Sequence, residues 1–199
     1  RGLKVEWEQS SVSHITALRT ADLDGDGDLD VLTGTSTGLL EVRDTASRTL
    51  WSHQFDARIN DLCSVDLDGD GKQEVICGVE DQTVYALKEG GDILWKASFE
   101  PDASQGGGAG HVRVVTTADF DNDGKPEVAV GCANSWCYVL DAEGKVRWNR
   151  QMQHKASAIG IADLDGDGFK ELLCGYTYQA RQIVDFSKSG WDQVRLIGG

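Results

Sequence analysis

The sequence predicts an all-β chain, a β-propeller of four-stranded antiparallel blades, with four blades plus one orphan strand here as part of a larger ring. Three observations predict it. Acidic loops of one pattern start at Asp22, Asp66, Asp119 and Asp163, spaced 44, 53 and 44 residues apart. Each runs into a short apolar stretch containing a glycine twelve residues after the loop start, at Gly34, Gly78, Gly131 and Gly175. A tryptophan then follows 29 residues after the first three starts, at Trp51, Trp95 and Trp148, and 28 after the fourth, at Trp191. Periods of roughly 40 to 50 residues indicate propellers or arrays, and rings of four-stranded blades typically hold four to eight of them.

Taken in order, the chain begins with an orphan strand around Val5 to Trp7, where Trp7 looks like the tryptophan of a preceding unit. Residues 1–10 are assigned to that preceding blade. Four units follow at approximately 11–55, 56–100, 101–152 and 153–199, within one domain spanning 1–199. The second unit predicts strands at Ile59 to Leu67, Glu74 to Val79, Thr83 to Leu87 and Ile93 to Phe99, with the acidic loop joining the first two. A glycine inside a strand marks a bulge or a close backbone approach. The tryptophans read as rings packed between neighbouring sheets. The extra residues between the second and third units are Glu100 to Gly110, whose Gly-rich composition predicts a flexible surface loop. It is a linker by default, with a lid over a binding face as the sharper alternative.

The acidic loops carry the clearest chemistry. Their carboxylates stand at the first, third, fifth and ninth positions: Asp22, Asp24, Asp26 and Asp30; Asp66, Asp68, Asp70 and Glu74; Asp119, Asp121, Asp123 and Glu127; Asp163, Asp165, Asp167 and Glu171. Ca²⁺ takes six to eight oxygen ligands, often with one bidentate carboxylate. Without a cation, like charges about 4 Å apart repel by about 4 kcal/mol at an effective dielectric near 20. An EF-hand would need Glu at the twelfth loop position, which here holds Thr33, Cys77, Val130 and Cys174. A start two residues later places Thr35, Val79, Cys132 and Tyr176 there, so the EF-hand fails.

Composition adds bounds. The 199 residues are 40% hydrophobic, ordinary for a soluble globular chain with a sizeable core. The net charge of −14 argues against nucleic acid, and four Ca²⁺ ions would bring it to −6. No apolar run approaches the ~20 residues that span a bilayer. The N-terminus carries neither a signal-peptide pattern nor an initiator Met, so the chain reads as a mature product or a piece of something longer. Of five cysteines, Cys77 and Cys174 share a repeat position and read as buried thiols. Cys132 and Cys137 are spaced to pair across a hairpin in an oxidising compartment.

The four loops, with following strands of the type Glu74-Val-Ile-Cys-Gly78, resemble the FG-GAP or VCBS repeats of integrin α-chain-type propellers. The resemblance implies four structural Ca²⁺ sites held by the first, third, fifth and ninth side chains and the seventh carbonyl. Those carbonyls would come from Asp28, Lys72, Lys125 and Phe169. The third loop departs with Asn122 where the others have Gly, and Asn tolerates the left-handed backbone required. Tyr85 to Trp95 and Tyr138 to Trp148 also resemble the tryptophan-docking repeats of quinoprotein-like propellers. Such folds host many activities, so the resemblance implies architecture more than function.

Eight residues before each loop start stand His14, Arg58, His111 and Lys155; the resemblance implies that they form a cationic column at the mouth of each innermost strand, at the end opposite the metal loops. Two residues further lie Thr16, Asn60, Arg113 and Ser157, expected on the same strand face because side chains alternate. Trp136, Tyr178 and Arg181 fall on nearby loops. The expected ligand is an anionic polysaccharide or a protein, bound by an extracellular, cell-surface or periplasmic adhesion-type module. The alternatives are a polysaccharide lyase acting on acidic polysaccharide and a scaffold repeat whose partners are further blades of the same or another chain. Neither a serine-nucleophile motif nor His-rich zinc spacing is present, and no catalytic residue is assigned.

Overall fold

Short β-rich runs punctuated by acidic and Gly-containing turns have one compact solution, an up-and-down antiparallel sheet, and the chain adopts it four times. In this computed structural model residues 8, 10–11, 13–99, 110–152, 154–176, 181–185 and 195–196 are described. The first sheet pairs β1 (Ile15–Ala21), β2 (Asp30–Thr35), β3 (Leu39–Arg43) and β4 (Thr49–Gln54) in that order. The second contains β5 (Ile59–Val65), β6 (Glu74–Val79), β7 (Thr83–Leu87) and β8 (Ile93–Ser98). The third contains β9 (Val112–Ala118), β10 (Glu127–Cys132), β11 (Trp136–Leu140) and β12 (Val146–Gln151). The fourth contains β13 (Ala156–Ala162), β14 (Glu171–Tyr176), β15 (Arg181–Asp185) and β16 (Arg195–Leu196).

The sheets stack as propeller blades. Packing runs in chain order, β1 against β5, β5 against β9 and β9 against β13. No comparable packing joins β1 to β13 among the described residues, so the blades form an open arc. β6 and β10 are buried at every position, which explains why they read as unbroken apolar runs. At the first interface Leu40 and Val42 meet Ile59, Leu62 and Cys77, and at the second Val84 and Ala86 meet Val112, Val115 and Val130. Phe55 packs on Tyr85 with centroids 4.7 Å apart, and Phe99 repeats the contact on Tyr138 at 4.3 Å. The Trp51 ring lies against Gly91 and that of Trp95 against Gly144, where an added Cβ would come within 2.8 and 2.7 Å of the rings. Trp148 is buried in the third interface. Trp7, Trp191, the orphan strand and most of the Glu100 to Gly110 insertion lie outside the described residues.

The strand glycines do both things that the sequence implies. A Cβ on Gly34 would lie 2.7 Å from Ile59, one on Gly78 2.6 Å from Val112, and one on Gly131 2.8 Å from Ala156. Opposite each of them the innermost strand bulges. The register skips Thr16 between Ile15 and Ala17, Asn60 between Ile59 and Asp61, Arg113 between Val112 and Val114, and Ser157 between Ala156 and Ala158. A bulge interrupts alternation and re-aims the extra residue. These four residues, expected on the face of the column two positions before them, therefore lie in bulges; Asn60 and Arg113 nonetheless line one cavity with Arg58 and His111.

Candidate metal centres and a basic rim

Each acidic loop turns sharply because its first aspartate collects backbone amides. Asp66 accepts from Gly69 (2.7 Å) and Gly71 (2.9 Å), Asp22 from Gly25 and Gly27, and Asp163 from Gly166 and Gly168. In the third loop Asp119 accepts from Asp123 and Gly124. Asn122 there has φ 58, beside φ 77 at the equivalent Gly25, Gly69 and Gly166, so Asn does adopt the left-handed turn. Its side-chain amide donates to the Gly168 carbonyl of the fourth loop (2.9 Å), and the Gln73 amide donates to Leu23 of the first (3.1 Å).

The ninth residue anchors the loop from beneath. Asp30, Glu74, Glu127 and Glu171 are all buried, and each accepts the amide of the second loop residue: Leu23, Leu67, Phe120 and Leu164. Burial, reinforced by the loop aspartates, pushes the carboxyls of Asp30 and Glu74 above their ordinary range and that of Glu127 up to about 7. A buried carboxylate facing three others is a group in need of positive charge.

Four clusters of carboxylate oxygens result: Asp22, Asp24 and Asp26; Asp66, Asp68 and Asp70; Asp119, Asp121 and Glu127; Asp163, Asp165 and Glu171. Within each, one oxygen from every residue lies within 4.8 Å of the others. That is the span across a cation ligated at about 2.3–2.6 Å. The donors are all hard oxygens, so the clusters fit a metal ion. The fifth-position aspartate completes the cluster in the first two loops and the ninth-position glutamate in the last two. The residues whose carbonyls the resemblance implies, Asp28, Lys72, Lys125 and Phe169, each donate their amide to the fifth-position aspartate.

At the opposite end of the innermost strands, five residues line a polar cavity of about 260 Å³: Arg58, Asn60, Glu80, His111 and Arg113. Local backbone builds it. The carbonyls of His14, Arg58 and His111 accept the amides of Ser36, Glu80 and Ala133, closing the mouths of the first three blades in the same way. His111 Nδ1 also bonds the Glu80 carbonyl. No ion pair among the described residues involves Arg58 or Arg113.

The bulged residues separate two roles. Thr16 donates to the Ile59 carbonyl of the next blade (2.5 Å), and Asn60 does the same to Val112 (2.8 Å). Ser157 donates to Gly175 within its own blade (3.1 Å). Arg113 occupies the same bulge, exposed, in the cavity. His14 and Lys155 are exposed outside that cavity. Trp136 stacks beside Tyr138 with centroids 6.1 Å apart. Tyr178 and the side chain of Arg181 lie outside what the structure describes.

Sequence reasoning missed one polar element. Asp61 is buried among the innermost strands, paired with Arg19 of the first blade (2.6 Å) and accepting the Val115 amide of the third (3.1 Å). Its signal was available, because the equivalent positions hold Ala17, Val114 and Ala158.

With this geometry in view, comparison with known proteins places the loops. Residues 66–130 match an FG-GAP-like repeat. The FG-GAP-like stretch begins at the first ligand-type residue of the second loop and ends in β10, so it contains the second and third acidic clusters. No curated protein matches the chain. Among solved structures the chain is similar to the computationally designed Ika4 protein, with TM-score 0.67 and 19% identity, over 92% of this chain and 98% of that one. It is similar also to BBS1N, crystallised with ARL6DN, with TM-score 0.71 and 11% identity, over 92% of this chain and 57% of BBS1N. The V. cholerae biofilm matrix protein Bap1 matches with TM-score 0.58 and 24% identity, over 77% of this chain and 23% of Bap1. The chain thus spans little over half of BBS1N and under a quarter of Bap1. These likenesses are of fold. No helix among the described residues is long and apolar enough to cross a membrane.

Proposed function

We propose that the chain is a calcium-stabilised binding module of extracellular, surface or periplasmic type, whose basic rim recognises an anionic glycan. The observation that carries the reading is the cavity of Arg58, His111 and Arg113, where two guanidinium groups stand without an ion pair among the described residues. Arginine presents a planar fork suited to carboxylate and sulfate oxygens. Asn60 is tied to Val112 and His111 to Glu80, so the arginines are the groups left to a ligand. Calcium would be structural, because the loop carboxylates already surround the space that an ion needs. Sites of the weak extracellular kind fill where calcium is about millimolar.

The test is electrophoresis of the calcium-loaded protein through native gels cast with single acidic or neutral polysaccharides, stained afterwards for intact polymer. Retardation in an acidic gel is expected, and it should vanish when Arg58, His111 and Arg113 are replaced by Ala while the melting temperature holds. A cleared zone around the band would instead make the protein a depolymerising lyase. Equal mobility in every gel would overturn the rim reading and favour a scaffold whose partners are other blades.

A further inference from the structure

All five cysteines are free thiols in the structure, and the hairpin pair expected from spacing, Cys132 with Cys137, is not formed. Cys137 points across the blade boundary. Its Sγ lies 3.6 Å from Sγ of Cys174 in the next blade, and both residues are buried in the same apolar cluster. The repeat shows how this meeting arises. Cys137 pairs with Gly131 as Leu40 pairs with Gly34 and Val84 with Gly78, while Cys174, Cys77 and Val130 each precede a strand glycine. The facing positions are therefore Leu40 and Cys77 at the first interface, Val84 and Val130 at the second, and Cys137 and Cys174 at the third. Only there do thiols fall on both sides.

We propose that Cys137 and Cys174 form a disulfide linking the third blade to the fourth when the chain folds in the presence of a small-molecule disulfide. One thiol, deprotonated, attacks the disulfide reagent and forms a mixed disulfide, expelling one reagent thiolate, which takes up the proton. The second protein thiolate attacks the mixed disulfide, forming the Cys137–Cys174 bond and releasing the second reagent thiol. Two electrons pass from the protein to the reagent, leaving one protein disulfide and two reduced reagent molecules. The sulfurs must close from 3.6 Å to about 2.05 Å. The Cys174 thiol beside it, together with burial, holds the Cys137 thiol well above its ordinary range. In the folded protein both sulfurs are shielded, so the bond forms during folding or when the fourth blade opens.

The experiment is refolding from denaturant with oxidised and reduced glutathione, followed by denaturation, alkylation and tryptic mapping without reductant. The expected product is 2 Da lighter before alkylation and yields a linked pair of peptides, 114–145 with 171–181. Cys137→Ala removes the link, whereas Cys132→Ala keeps it and distinguishes the two cysteines of the first peptide. The oxidised protein should melt roughly 5–15 °C above the reduced one, as expected for closing a loop of some 37 residues. Full alkylation of Cys137 and Cys174 after oxidative refolding, or a bond between Cys132 and Cys137, overturns the proposal. Mapping of the wild-type chain decides it even if a variant fails to fold.

Discussion

The two ends of the innermost strands differ in kind. At one end the same acidic turn occurs four times, with the same glycines or Asn122 in left-handed conformation and the same buried ninth carboxylate. At the other end the four mouths hold His14, Arg58, His111 and Lys155, of which the middle two line the polar cavity. Repetition serves architecture, because every blade needs the same turn. Irregularity marks where one blade does something its neighbours do not, and Arg113 in a bulge used elsewhere for hydrogen-bonded polar residues is the clearest instance.

Withholding the proposed calcium from the regular end should produce the largest effect. A site held at ten times its dissociation constant adds about 1.4 kcal/mol, so four would add roughly 6 kcal/mol, comparable with the stability of a whole domain. Chelation is expected to lower the melting temperature by tens of degrees or to unfold the chain, as followed by circular dichroism. A melt that ignores chelator would break the comparison by making the acidic end as dispensable as the rim.

A smaller effect separates blade boundaries. Gly78→Ala should destabilise by about 1–3 kcal/mol, because its Cβ would sit 2.6 Å from Val112 Cγ1 in a filled interface. Gly175→Ala should cost less than about 1 kcal/mol, since its Cβ would meet Ala158 at an ordinary 3.7 Å. Denaturant titration of both variants checks the difference, and equal losses would mean that the repeat glycines act through the backbone alone.

The smallest effect is one of pH. The Glu127 carboxyl is raised to about 7 by burial and by Asp121, Asp123 and Asp119. The stability that it contributes to the metal-free chain is fully present below its unfolded pKa, near 4.3. It is lost as pH rises through about 7. The chelated protein should therefore melt lower at pH 8 than at pH 5. With calcium present the slope should reverse, because the ion binds the ionised carboxylate. Parallel slopes in the two conditions would remove Glu127 from the metal centre.

Much of this was legible in the sequence because the repeat samples each position four times. The second blade's strands fall at Ile59–Val65, Glu74–Val79, Thr83–Leu87 and Ile93–Ser98, close to the runs that period and turn residues mark. β5 and β8 stop short of the read ends: the Asp66 carboxylate captures amides beyond β5, and Phe99 bonds back to Gln82 past β8. The left-handed Asn122 and the crowded Gly34, Gly78 and Gly131 were likewise readable, each from a chemical property of one residue type. What escaped depends on relations between blades. Alternation along one strand does not disclose a bulge, so the bonds of Thr16 and Asn60 to the next blade went unread. The Arg19–Asp61 pair and the Cys137–Cys174 meeting join residues more than thirty positions apart, and no local spacing reports them.

The bonds between neighbouring loops have a consequence for how ions would load. The Gln73 amide ties the second loop to the first through the Leu23 carbonyl, and Asn122 ties the third to the fourth through Gly168. Between the second and third lies a cleft of about 640 Å³, lined by Asp66, Asp68, Lys125 and Trp95. An ion that stiffens one loop also fixes the bonding partner of its tied neighbour, lowering the entropy that the neighbour must lose when its own ion arrives. Occupancy would then advance two by two, each couple cooperative within itself and indifferent to the other, so that a calcium titration is steeper than independent sites allow, with a Hill coefficient between about 1 and 2.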